Sequence, residues 1–218
     1  PSDVMKITSL RNFSLLDKVE NKNENKPLYR YGESGYSVHI TENNQEILLG
    51  APGLYNWMGS AIKYNVKRAN EKKYHGIVAD NTIFDNGYKD SLKFNSYFGY
   101  SMTSGQFLKP KREELFYIAS APRMDDGLVM IFQINNKLNT DYMKIYHKFY
   151  GTQIGSYFGY SLICEDFNND KKPDIAISAP FLRNEQSEEI GGIFIYMNEC
   201  KDEKNGMNDC FTLTKAKQ

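Results

Sequence analysis

Four side chains in the stretch "EDFNNDKKPD" carry oxygen at spaced positions: Asp166, Asn168 and Asp170, then Asp174 after a gap. They occupy positions 1, 3, 5 and 9 of an Asp-x-Asn-x-Asp-x-x-x-Asp pattern. Hard cations such as calcium take about six to eight oxygen ligands, and a curled loop presents alternate side chains inward. The backbone carbonyl of Lys172, at position 7, is expected to add a further oxygen. Carboxylates crowded without a cation repel one another. The pattern therefore predicts bound Ca2+, and the alternative is a solvated acidic turn.

The spacing matches the start of a helix–loop–helix calcium loop, but two features separate it from that motif. Ile177 stands at position 12, where a bidentate Glu would close the loop, and the flanks read as strands. Lys171 replaces the turn glycine at position 6, which predicts a looser curl.

Little else in the chain has the spacing of a reactive site. His39, His75 and His147 sit in no recognisable arrangement, and neither Gly-x-Ser-x-Gly nor His-Glu-x-x-His occurs. The serines of the "SAP" triplets lie at strand ends with no base nearby in sequence. The chain is therefore not expected to be an enzyme. Cys200 and Cys210 bracket a polar stretch and have the spacing of a small disulfide loop in an oxidising compartment. Two free thiols are the alternative. Cys164 would be left over, buried in a strand. Asn12, in "NFS", is a triplet acceptor for N-glycosylation.

Composition excludes some functions. Acidic and basic residues balance at 27 each, so no basic stripe marks a nucleic-acid binder. The one basic cluster, Lys109, Lys111 and Arg112, runs straight into Glu113 and Glu114. No apolar run approaches the roughly 20 residues that span a bilayer, so no membrane contact is expected within this segment. The 14% aromatic content favours strands.

The elements that must hold the acidic loop come from a repeat. "SGYSVHI", "SYFGYSMTSGQF" and "SYFGYSLICEDF" begin at Ser34, Ser96 and Ser156, a period of about 60 residues. Each is followed by a strand-like run ending in Ala-Pro, at Pro52, Pro122 and Pro180. A glycine and another strand-like run come next: "GSAIKYNV", "GLVMIFQI" and "GGIFIYM". Each unit reads as strand, polar loop, strand, Pro-containing turn, strand. No segment shows caps with a 3.6-residue apolar stripe, so helix should be scarce. Repeated small antiparallel sheets predict an all-β fold, a partial β-propeller of about three blades. The acidic spacing is absent from "TENNQE" and from "GQFLKPKREEL" in the other two units, so one metal site is expected.

These residues carry a family resemblance. "FGYS…DFNNDKKPDIAISAP…GGIFIY" resembles an FG-GAP repeat with its calcium loop. "GYSVHITENNQEILLGAPGLYNWMGSAI", with its Tyr-x-Trp-x-Gly after Ala-Pro, resembles the third blade of an integrin alpha-subunit propeller, and the next two units resemble the fourth and fifth. The match runs from about Tyr31 to Met197. The resemblance implies a fragment of a seven-bladed propeller. Residues 1–30 would end a preceding blade, 31–96 would form a blade with a long loop, and 97–155 a blade with a degenerate metal loop. Residues 156–218 would form a blade with the calcium loop and a polar tail.

The resemblance also implies a place and a job: the extracellular part of a single-pass cell-surface receptor, paired with an integrin beta subunit. Tyr36, Tyr100 and Tyr160, with Tyr97 and Tyr157 above them, would cage a basic side chain of that partner, since ring faces attract cations. Tyr55, Trp57 and Asn95, with the stretch from 67 to 96, would face an extracellular-matrix or cell-surface protein ligand. Asn95 stands where Arg-Gly-Asp readers of this family place an acid, and an amide cannot form the paired charge contact. A dedicated Arg-Gly-Asp reader is therefore not expected. The region "YGESGYS" lacks a cysteine common in the family, which removes a local disulfide. An accessory propeller of a secreted hydrolase, or a glycan-binding propeller, is the alternative.

Overall fold

The computed structural model describes residues 31–65, 77–78, 92–108, 115–137, 140–200, 207 and 210–214. They form twelve strands in three antiparallel sheets, each a simple meander of four. The first sheet contains β1 (Val38–Ile40), β2 (Glu46–Ala51), β3 (Ser60–Asn65) and β4 (Ile77–Val78). The second contains β5 (Met102–Gly105), β6 (Phe116–Ala121), β7 (Leu128–Lys137) and β8 (Thr140–Tyr150). The third contains β9 (Leu162–Glu165), β10 (Asp174–Ala179), β11 (Gly192–Asn198) and β12 (Phe211–Thr214). The only helical element among the described residues is the four-residue turn α1 (Leu54–Trp57). The fold is an all-β partial propeller, as the repeat predicts.

The repeat predicts three strands per unit, and the structure adds a fourth to each. β8 is the longest strand of the described chain, and a bulge between Ile131 and Phe132 shifts its register on β7. That bulge, and lysines on a half-exposed face, blur the apolar alternation that would have marked β8 in the sequence.

Burial orders the sheets. Every residue of β6 is buried, so the second sheet is covered on both faces. One face packs through Tyr117, Met130 and Phe132 onto Leu48 and Ala61 of the first sheet. The other packs through Ile118, Val129 and Ile131 onto Leu162, Ile175 and Phe194 of the third. The phenylalanine of each "FG" pair drives these junctions. Phe98 and Phe158 are both fully buried, and each sits in the cluster joining its own sheet to the preceding one. The glycine after the wedge allows close approach: a Cβ at Gly99 would lie 2.5 Å from the Ser60 carbonyl oxygen, and its φ is +90°.

The repeated motif locks one backbone geometry twice over. Gly99 N–H donates to Ser120 O, and Ser120 Oγ accepts the Ser101 N–H at 3.0 Å. In the third sheet Gly159 N–H donates to Ser178 O, and Ser178 Oγ accepts the Ser161 N–H at 2.9 Å. The "SAP" serines are thus held in backbone bonds that tie the first strand of a sheet to its second. In the first sheet Gly50 replaces that serine, because a Cβ there would lie 1.8 Å from the Gly99 carbonyl oxygen. Ser37 Oγ occupies the gap instead and donates to Gly99 O across the sheet junction.

Candidate functional site

The strands carry two groups of candidate residues at opposite ends. β10 runs from Asp174, in the acidic loop, to Ala179, at the "SAP" turn. Six residues of strand separate the two ends by about 17 Å. A cation in the acidic loop is therefore out of reach of anything bound at the tyrosine end.

The acidic loop joins β9 to β10 and is tightly curled. Asp166 Oδ1 and Oδ2 accept the N–H groups of Asp170 at 3.1 Å and Lys171 at 2.7 Å. Asn168 Oδ1 accepts the Asp170 N–H at 2.9 Å, and Asp170 Oδ1 accepts that of Lys172 at 2.9 Å. Lys171 takes a left-handed φ of 66° and Asn169 one of 62°. Lys171 therefore adopts the conformation a glycine would supply, and the looser curl read from its identity does not occur.

Asp174 stands apart from the other acids. It is fully buried, and its two oxygens accept the N–H groups of Phe167 at 3.0 Å and Asn198 at 2.8 Å. Asn198 extends the tie: its Nδ2 donates to Phe107 O in the second sheet, and its Oδ1 accepts the Cys200 N–H. Lys172 Nζ reaches the Cys200 carbonyl at 3.2 Å. Nothing in the spacing of the acids pointed to Asn198; only the β10–β11 pairing brings it beside Asp174.

The donor set has the hard oxygens that calcium takes, on a loop already curled. An oxygen holding one N–H bond keeps a lone pair for a cation. The set read from the spacing also counts the Asn168 amide oxygen and the Lys172 carbonyl. Among the described residues no group of three or more His, Cys, Asp or Glu side chains is placed to hold a metal ion. Asp174 is buried at the base of the loop, and Asp166 and Asp170 are exposed at its rim.

Cys200 and Cys210 are joined in a disulfide that closes onto the third sheet, as their spacing allows. Cys164 is a free, buried thiol. Burial, with the nearby carboxylates of Glu42, Glu165 and Asp174, pushes its pKa well up, which makes it a poor nucleophile.

The tyrosine end is built by the first strands and the turns before them. Tyr36, Tyr100 and Tyr160 form a row with centroid separations of 5.0 and 5.5 Å. The outer two are 52% and 45% exposed, so ring faces remain open to a partner. Burial raises the Tyr100 pKa, and hydrogen bonds to Tyr36 and Tyr160 raise it further, so Tyr100 stays protonated and neutral at physiological pH.

Tyr97 and Tyr157 belong to the same end, and Tyr157 packs edge-on against Tyr100 at 6.4 Å. Arg123 of the same chain covers the Tyr97 ring at 4.6 Å, and Phe181 packs edge-on against Tyr157 at 5.5 Å. Both tyrosines have left-handed φ, 60° and 56°.

Trp57 lies 5.6 Å from Tyr97 and stacks with Tyr31 at 6.4 Å. It is displayed by α1, where Tyr55, Asn56 and Trp57 all have left-handed φ. Tyr55 does not join this surface. It is buried with Leu49, Ala51, Leu54 and Ile62, which corrects its reading as an exposed ligand contact. The left-handed turn reverses the chain and points Tyr55 into the core. Asn95 is exposed, with a φ of 64°. Asn tolerates that region better than most residues, so the backbone alone accounts for its identity. Asn12, His75, the basic cluster at 109–112 and most of the 67–96 stretch lie outside the described residues.

No protein-family model matches the chain. It is 33% identical over 224 residues to integrin alpha-PS3 of Drosophila melanogaster, an alignment covering 91% of this chain and 20% of that protein. It is 33% identical to integrin alpha-4 of Xenopus laevis, covering 78% of this chain and 15% of that protein. It is 29% identical to integrin alpha-7 of Rattus norvegicus, with the same coverages. The chain thus spans a fifth or less of the length of these curated relatives.

Proposed function

Because this chain belongs to the integrin alpha family, we propose that it forms part of the extracellular head of a cell-surface adhesion receptor. In this reading the tyrosine end docks on an integrin beta subunit, and the assembled head binds an extracellular-matrix or cell-surface protein. The observation that carries the proposal is the open row of Tyr36, Tyr100 and Tyr160, three rings aligned at one end of adjoining sheets. Such rings attract a cationic side chain by about 0.5–2 kcal/mol each. Asn95 offers a ligand arginine no charge, so a soluble Arg-Gly-Asp peptide should not compete fully for the ligand.

Ca2+ is proposed for the acidic loop, held by Asp166, Asn168 and Asp170, with Asp174 and the Lys172 carbonyl completing the set. Bound there, it would supply structural cross-linking at the end of the third sheet remote from the ligand.

Both parts are testable on the ectodomain of the full subunit. Tyr100→Ala is expected to lower co-purification with a beta subunit about tenfold, the loss of roughly one cation–π contact. Undiminished pairing would remove the cage. Asp170→Ala is expected to reduce calorimetric Ca2+ stoichiometry by one, and an unchanged stoichiometry would leave the loop a solvated turn.

A further inference from the structure

The turn after each "AP" pair places one residue against the residue preceding the Phe-Gly wedge. In the third sheet that residue is Phe181, whose N–H donates to Ser156 O while its ring packs on Tyr157. In the second sheet it is Arg123, whose N–H donates to Ser96 O while its guanidinium lies over Tyr97. The two slots have the same backbone and the same aromatic floor. Phe181 shows that an uncharged ring fills the slot, so packing does not call for the positive charge of Arg123.

That charge has no counter-ion among the described residues. The nearest acid in sequence is Asp125, and Lys93 Nζ holds both of its oxygens, at 2.8 and 2.7 Å. Arg123 is exposed, and beside it lie Tyr97 and the partly exposed Trp57. Phe94, one residue from Asn95, is 66% exposed. A guanidinium over a ring still has N–H donors to offer, and its fork suits a carboxylate bidentately.

Resting on the adhesion-receptor reading, we infer that Arg123 is a ligand-recognition residue that takes a carboxylate from an acidic segment of the protein ligand. Trp57, packed on the same Tyr97 ring, offers an apolar contact. The surface thus reads an anion, the opposite polarity to an acid that reads arginine.

The test pans a displayed library of random heptapeptides against the ectodomain heterodimer, with wild-type, Arg123→Lys, Arg123→Phe and Arg123→Glu compared. Arg123→Phe copies the Phe181 slot, so its thermal transition should match wild type while the charge is gone. The readout is the difference between variants. Peptides selected by wild type should carry more Asp and Glu than those selected by Arg123→Phe. They should bind Arg123→Phe and Arg123→Glu at least about tenfold more weakly, with Arg123→Lys between. Equal acidic content across the variants, or no enriched peptide from any of them, overturns the inference. Failure of the wild-type chain to pair with a beta subunit would instead overturn the adhesion-receptor reading.

Discussion

At the scale of single residues, backbone conformation decides several identities that side-chain chemistry alone misreads. Lys171 holds a φ of 66° inside the acidic loop, where an L-residue costs roughly 1–2 kcal/mol more than glycine. Lys171→Gly gives back some of this as unfolded-state entropy, so the expected net gain is about 0.5–1 kcal/mol in urea unfolding. A loss would mean that the lysine side chain holds the loop. His39 makes a 2.8 Å hydrogen bond to Ser104 Oγ across the first junction, and burial lowers its pKa below 6.5. As pH falls below about 6.5 the unfolded chain binds the proton first, so stability falls with pH until the folded-state pKa is reached. Above that window His39 contributes no pH dependence. His39→Gln should flatten part of the stability loss below about pH 6.5, with His147, also depressed by burial, accounting for some of the rest. An unchanged profile would show that His39 titrates normally.

At the scale of elements, each four-stranded sheet is a unit that a buried phenylalanine fastens to its neighbour. Phe158 is fully buried and meets Phe194 at 5.1 Å, so Phe158→Ala should cost about 3–5 kcal/mol in chemical denaturation. Gly50→Ala should cost about 3 kcal/mol by a different route, since its Cβ would strike the Gly99 carbonyl at the same type of junction. A cost under about 1 kcal/mol for either would mean that the junction adapts more freely than a close-packed interface allows. The Pro-ended strands and Gly-aromatic turns that build these junctions are legible in the sequence. The fourth strands are not, because β4 and β12 are short and the bulge in β7–β8 breaks the period.

At the scale of the whole molecule, the sheets stack with apolar outer faces. Val38 and Ile40 are exposed on the side of the first sheet away from the second, and Ile163 and Ile193 on the far side of the third. Exposed apolar sheet faces associate. The 218-residue chain expressed alone is expected to sediment as self-associated species, and Ile163→Glu with Ile193→Glu should shift it toward monomer. Monomer at all concentrations for the unaltered chain would show that these faces are covered from within.

The sequence by itself determined the repeat and the all-β class, put the oxygen donors on one loop and set Cys200 and Cys210 at a spacing that allows a disulfide. Each rests on residues near one another in the chain, where spacing translates directly into geometry. Only the tertiary structure decided which donors lie together and which aromatics face outward. Asp174 is buried between its own loop and a neighbouring strand, because Phe167 and Asn198 each offer it an N–H. Tyr55 is buried, and Arg123 lies over the Tyr97 ring, because of how turns and strands distant in sequence meet. Such outcomes depend on contacts between residues far apart in sequence, and local spacing carries no information about them.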